Sequence, residues 1–278
     1  MKQIFRKLWN YSPAQICAIL RSRLAVPDFV SGFEIEPKEL ERLQKLPRYA
    51  GGQTVFMGKR FEFIDASSYL SMLDEIFGKQ NYSFTALRND PFIIDCGSNI
   101  GVSIIYFKSI YPSARVIGFE PGKKQFVALE KNLKNFGYDD VKIHDKAVWT
   151  SDGTLDFHND GSWGGKIESA PGNGTVKVES KRLKDLLGEK VDFLKIDIEG
   201  GETAVLEDCA SSLWNVENMF IEYHSDAVEP QTLDRILSII SKSGMRYHIK
   251  EAAQRKRPFV NKIKSGFDSQ LEIYAFRD

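Results

Sequence analysis

The densest chemistry in the 278-residue chain lies in one stretch, IIDCGSNIG at 93–101. An apolar run ends in a carboxylate, Asp95, and a glycine-rich turn then opens a helical pattern. Gly97 permits a sharp turn and the close approach of a ligand, and Gly101 lets the helix pack against the strand. The N–H groups at such a helix start can hold a carboxylate or phosphate. Spacing separates the cofactor classes. A dinucleotide turn reads G-x-G-x-x-G, but Ser98 and Ile100 stand here, giving D-x-G-x-x-x-G. An acid before the first glycine repels a pyrophosphate and suits the cationic amino acid end of S-adenosylmethionine (SAM). Asp95, Gly97, Ser98, Asn99 and Gly101 are therefore the expected cofactor contacts. A dinucleotide site and a ligand-free structural turn are the alternatives.

Other strand ends carry matching groups. Glu120 closes RVIGFE, where a carboxylate can accept hydrogen bonds from both ribose hydroxyls. HDKAV at 144–148 falls where an adenine would lie, which makes Ala147 a cofactor candidate. In KIDIEG, strand alternation puts Lys195, Asp197 and Glu199 on one side, and in IEYH it pairs Glu222 with His224. In the strand order usual for SAM folds these ends adjoin Asp95. Such carboxylates repel unless a sulfonium, Lys195, raised pKa values or a divalent cation such as Mg2+, held by Asp197 and Glu222, compensates. A lone imidazole makes His224 the expected base for a substrate hydroxyl. Asp197 then orients the acceptor, binds SAM or holds the ion, and Glu199 completes the catalytic set. His158 is a second base candidate and, with Glu222 and Trp163, a substrate candidate; His144 and His248 read as structural. The competing reading leaves these strand-end groups satisfied by backbone and water.

The elements that must position these residues follow a strand–turn–helix rhythm after Pro91. Apolar strands are expected at PFIID, RVIGFE, VKIHDKAVW, VDFLKIDIE and NMFIEYHS, with MRYHI and LEIYAF closing the sheet. Helical patterns fill 99–111, a stretch opened by Pro121 and ended at Gly137, one leading to Leu206, and 230–242. This specifies an α/β, doubly wound, mostly parallel sheet. Before it come an amphipathic helix near the N-terminus, a short helix at 37–45, a hairpin with its turn at Gly58-Lys59, and a helix at 67–77. The boundaries drawn are 1–50 for a helical extension, 51–90 for a lead-in hairpin and helix, and 91–278 for the α/β domain. Residues 151–180 break the rhythm with Gly, Asn, Asp and Ser around Trp163. They read as a loop, either ornamental or touching substrate, with Trp163 stacking on a sugar face or anchoring the loop.

Composition narrows the function classes. Lys+Arg and Asp+Glu are both 38, so bulk charge does not recruit nucleic acid. Base methylation is also disfavoured by Asp197-Ile198-Glu199-Gly200 where an Asn/Asp-Pro-Pro-aromatic segment would stand. Cys17, Cys96 and Cys209 form no CxxC pair, which argues against a disulfide framework and fits a reduced, cytoplasmic setting. No apolar run approaches a membrane span. The N-terminal helix reads as a packing or homo-oligomer contact, or through Lys2, Arg6 and Lys7 as a peripheral membrane contact. The basic segment from Lys250 to Lys264 is either a solvated loop or a cationic rim for a phosphorylated or lipid-linked acceptor.

The segments FIIDCGSNIGVSIIYF, RVIGFEPGKKQFVALEKNL, AVW with a following DG turn, VDFLKIDIEGGETAVLE and FIEYH together resemble the FkbM family of SAM-dependent methyltransferases. The resemblance spans about residues 54–278, and KIDIEG is its most specific part. It implies a Rossmann-like fold with a seven-stranded, mostly parallel sheet. It also implies O-methylation of a hydroxyl on a small-molecule or glycan acceptor: a sugar, a polyketide or a related metabolite. It carries over Asp95, Gly97, Asn99 and Glu120 as SAM contacts, and Asp197, Glu199 and His224 as active-site candidates. A non-catalytic SAM-fold partner subunit and a NAD-dependent oxidoreductase are the rival functions.

Overall fold

The structure, a computed structural model, describes residues 35–159, 165–167, 175–252 and 255–278. The N-terminal amphipathic helix, Cys17, Trp163 and the His158 side chain lie outside the described residues.

Helix α1 (Pro37–Gln44) leads into a hairpin of β1 (Gly52–Phe56) and β2 (Lys59–Phe63). Met57 and Gly58 form its turn, both at positive φ (49° and 74°), so the turn lies one residue earlier than the sequence suggests. Helix α2 (Ala66–Leu73) starts on Asp65, whose carboxylate accepts from Ser68 N–H, and widens into a π-helical turn at Asp74–Gly78. The main sheet then builds from β3 (Phe92–Cys96), β4 (Arg115–Phe119), β5 (Lys142–His144), β10 (Val191–Ile196), β11 (Val216–Asp226), β12 (Arg246–Glu251) and β13 (Phe267–Phe276). Its order is β12-β13-β11-β10-β3-β4-β5, parallel except for β13, which runs antiparallel to both neighbours. Helices α3 (Val102–Ile110), α4 (Lys123–Phe136), α5 (Glu202–Cys209) and α6 (Leu233–Lys242) provide the crossovers.

Strand alternation divides the core in two. Ile93 and Phe193 pack with α2–α4 and the hairpin on one face, while Ile94 and Leu194 pack with α5 and α6 on the other. Central strands covered on both faces are continuously apolar for this reason. Asn132 of α4, fully buried, ties the hairpin to the glycine turn: its amide donates to Ile100 O and Glu62 O (both 2.9 Å) and accepts from Glu62 N–H (2.7 Å).

Two expectations are corrected. VKIHDKAVW is not one strand: it bends at Asp145-Lys146, so β5 ends in the main sheet and β6 (Ala147–Trp149) enters another. Residues 151–180 are not simply a loop. They supply β7 (Gly153–Asn159), β8 (Gly165–Ile167) and β9 (Thr175–Arg182), giving a four-stranded sheet in the order β6-β9-β7-β8. Turn-forming residues between short strands hid this alternation.

Candidate active site

The strand order reverses between β3 and β10, and an open α/β sheet binds ligands at that switch point. The turn after β3 is left-handed at Gly97, Asn99 and Gly101 (φ 89°, 47° and 92°). A Cβ on Gly97 would lie 1.9 Å from Asp197 O, so only glycine lets the ends of β3 and β10 meet. The turn's amides are largely used internally. Gly97 and Ser98 donate to Phe119 O (3.0 and 2.9 Å), Asn99 donates to Glu120 Oε2 (2.9 Å), and Gly101 donates to Ser98 O (2.9 Å). These four turn amides are therefore already occupied.

Asp95 is fully buried rather than facing a ligand. Ser103 Oγ donates to one of its oxygens (2.6 Å), and Lys195 Nζ lies 3.5 Å from the other. Lys195 also donates to Gly97 O (2.7 Å) and Asp197 Oδ2 (3.1 Å). Burial works against its charge, but Asp197 and Asp95 outweigh burial and hold it firmly cationic. Glu120, at the end of β4, is also buried, and burial pushes its carboxyl up to about 7 although Gly122 and Asn99 N–H groups donate to it.

Past β10 the chain turns through Glu199 and Gly200 at positive φ (59° and 105°). Strand alternation ends at Ile196, so this turn rather than the pleat brings Glu199 to the rim. On β11, Glu222 and His224 point the same way, as expected. His224 Nδ1 lies 3.2 Å from Glu202 Oε1, and its Nε2 lies 3.4 Å from Glu199 and 3.6 Å from Glu222. Phe267 packs on the imidazole, with 4.8 Å between ring centres. Burial opposes protonation of His224, but Glu202, then Glu199 and Glu222, raise it to about 10. Burial and Asp197 push Glu222 up.

A cavity of about 430 Å³, within the range of small-ligand sites, opens here; Asp95 and Glu120 lie behind its lining rather than in it. Gly97, Ser98 and Asn99 line one wall, and Lys195, Asp197, Glu199, Glu222 and His224 line another. Glu75, from the π-helical turn, joins them, and burial raises it to about 7. Sequence reasoning missed Glu75, Phe267 and Glu202. Glu202 resembles an ordinary acid in a helix's first turn, yet it accepts from Ile198 and Gly200 N–H and anchors His224. Ala147 is buried in β6 beside Ser180, and His144 stacks on Phe119 (5.0 Å). A larger hollow of about 1000 Å³ sits on the hairpin, but its ionic pair, Glu39 and Arg42, is already satisfied at 2.6 Å.

A Rossmann-like sheet with a glycine turn and an acidic cavity at its switch point is the arrangement in which α/β proteins bind nucleotide cofactors. Comparison with known proteins is more specific. The family description "Methyltransferase FkbM domain" matches residues 95–247. The chain is 30% identical over 203 residues to "Methyltransferase sdnD" of Sordaria araneosa, covering 56% of this chain and 76% of that protein. It is 27% identical over 165 residues to "Hexuronic acid methyltransferase AglP" of Haloferax volcanii (54% and 63% covered). It is 26% identical over 158 residues to "2-O-methyltransferase NoeI" of Sinorhizobium fredii (49% and 64% covered). The chain belongs to the FkbM methyltransferase family. Among the described residues no helix is long and apolar enough to cross a membrane.

Proposed function

We propose that the protein is a SAM-dependent O-methyltransferase acting on a hydroxyl of a sugar, glycan or related metabolite. The observation that carries this reading is the single cavity joining the glycine turn to the rim of Asp197, Glu199, Glu222 and His224. A carboxylate-rich wall suits a sulfonium donor, which when bound supplies an activated methyl group. The likeness to AglP and NoeI, named a hexuronic acid methyltransferase and a 2-O-methyltransferase, supports a sugar hydroxyl as acceptor. A polyketide hydroxyl and a non-catalytic partner role are the outcomes set against it.

In this reading each Glu120 oxygen, already holding one backbone N–H, accepts a ribose hydroxyl as well. Lys195 fixes Asp197 and the Gly97 carbonyl, and so sets the distance between the cavity's walls. The acceptor oxygen must lie on the methyl axis at ~3 Å, and its proton must be taken up. Glu202, Glu199 and Glu222 around His224, the base expected from the sequence, favour its protonated form, and an imidazolium has no lone pair for a proton, so this reading moves the base to another residue. We assign proton uptake to Asp197, with His224 holding Glu199 and Glu222 by charge.

A second reading follows from one further observation. Asp197, Glu199 and His224 each present a donor atom within 4.8 Å of the others. Glu202 on Nδ1 leaves Nε2 facing the set, as second-sphere carboxylates do for metal-bound histidines. These residues fit a divalent ion, and the imidazole favours Mn2+ or Zn2+ over Mg2+. Glu222, an expected ligand, is outside this set. Such an ion would lower the acceptor hydroxyl's pKa.

The test is transfer of radiolabelled methyl from SAM to a panel of sugars, glycolipids and polyketides. Label on a sugar hydroxyl is expected, with kcat for Asp197→Asn falling about 100-fold or more. SAM binding without transfer to any acceptor supports the partner role, and full turnover in Asp197→Asn removes the assigned base. Unchanged activity after chelation, with no Mn2+ bound by spin resonance, removes the metal reading.

A further inference from the structure

The connection between β12 and β13 has a composition found in no other described loop. Residues 255–266 contain Arg255, Lys256, Arg257, Lys262 and Lys264 and no acid, in a chain of zero formal charge. Among the described residues, none of these five cations is in an ion pair, whereas cations such as Arg88 and Lys181 are paired. Between them stand Phe259 (92% exposed), Val260 (70%) and Ile263 (43%).

This tip is a built turn. Val260 and Asn261 N–H groups donate to Arg257 O (both 2.9 Å), and Asn261 Nδ2 donates to Lys256 O (2.7 Å). Arg257 takes a left-handed φ of 52° to allow it. A fully exposed phenylalanine beside two aliphatic side chains is unfavourable in water, and a soluble phosphate would leave it uncovered. Neither is true at a bilayer surface, where apolar side chains enter the headgroup–acyl boundary and neighbouring cations meet anionic headgroups.

We propose that residues 255–266 dock on an anionic lipid bilayer, with Phe259, Val260 and Ile263 inserted and the five cations on the headgroups. The root of the loop is continuous with the catalytic cavity. Phe267 and Gln270 line both that cavity and a hollow of about 520 Å³ beneath Arg255, Lys256 and Ile263. Docking therefore brings the cavity close to the membrane surface, where a lipid-linked acceptor would be met.

Vesicle flotation of the full chain tests this without donor or acceptor, so its result is separate from that of the methyl-transfer assay. The protein is expected to float with phosphatidylcholine vesicles containing about 30 mol % phosphatidylglycerol, and hardly with phosphatidylcholine alone. Two double variants, Phe259→Ser with Ile263→Ser and Lys262→Ala with Lys264→Ala, should each lower partitioning at least about tenfold. These side chains are exposed, so thermal midpoints should stay at the wild-type value. Absence of flotation overturns the proposal. So does wild-type flotation in both variants, which would place binding elsewhere in the chain, or binding to a generic RNA that the Phe259→Ser, Ile263→Ser variant retains in full while vesicles are ignored.

Discussion

Alanine at Gly97 should damage the protein more than alanine at Gly101 or Gly137, and these two sibling substitutions separate the causes. All three positions, Gly97, Gly101 and Gly137, have similar φ (89°, 92° and 75°), so each alanine carries the same left-handed strain of about 1–2 kcal/mol. At Gly137 nothing lies within 4 Å of the new Cβ, and strain is the whole effect. At Gly101 the Cβ meets Leu129 Cδ1 at 2.7 Å, a movable side-chain end, which raises the expected loss to about 2–3 kcal/mol. At Gly97 it meets Asp197 O at 1.9 Å, against a normal carbon–oxygen contact of about 3.3 Å. That carbonyl cannot easily retreat, because Asp197 N–H donates to Cys96 O (3.1 Å) across the paired strand ends. A loss of about 4 kcal/mol or more follows, together with loss of SAM binding in whatever fraction stays folded. Urea denaturation reads the three stabilities and calorimetry reads SAM affinity. If Gly97→Ala falls within about 0.5 kcal/mol of Gly137→Ala, the close approach of β3 and β10 is refuted.

Two more predictions concern buried charge. Nitrogen-detected NMR should find His224 doubly protonated at pH 8, and Glu202→Gln should lower its pKa by about one unit or more by removing the nearest carboxylate. Because folding raises this pKa from 6.5 to about 10, its stabilising contribution is complete below 6.5 and fades as pH rises to 10. The wild type should therefore lose stability over that window, and Glu202→Gln should lose less, as followed by thermal midpoint against pH. Lys195→Met leaves Asp95 buried without its cation and should cost about 3–5 kcal/mol in urea denaturation; a loss below about 1 kcal/mol would mean the lysine does not hold the strand ends together.

Local signals were the legible ones. IIDCGSNIG and KIDIEG disclose their strands, turns and acids because each motif lies within one strand and the bend that follows it. The alternation of apolar runs with helical patterns discloses a mostly parallel α/β sheet, while its strand order comes from the order usual for SAM folds. Long-range partners were not legible. Glu202 meets His224 only because β10 and β11 are neighbours, and Glu75 enters the cavity from a π-helical turn that helical periodicity reads as ordinary helix. Asp95 was legible as the acid at the strand end but not as a buried one, since only packing reveals Ser103 and Lys195 around it. His224 was placed at the rim correctly, but its charge depends on three carboxylates contributed by separate turns and strands. The second sheet escaped because TLDF and VKV alternate over too few residues between turn-forming segments.

Calorimetric titration with SAM at pH 6 and pH 8 tests the central claim most directly. One SAM per chain is predicted, bound about tenfold more weakly at pH 6, because a Glu120 carboxyl near 7 is mostly protonated there and only its ionised form accepts both ribose hydroxyls. Glu120→Gln should bind weakly at both pH values and lose that step. No heat with SAM at either pH, alongside clear binding of NADH, would contradict the assignment of this cavity to a methyl donor.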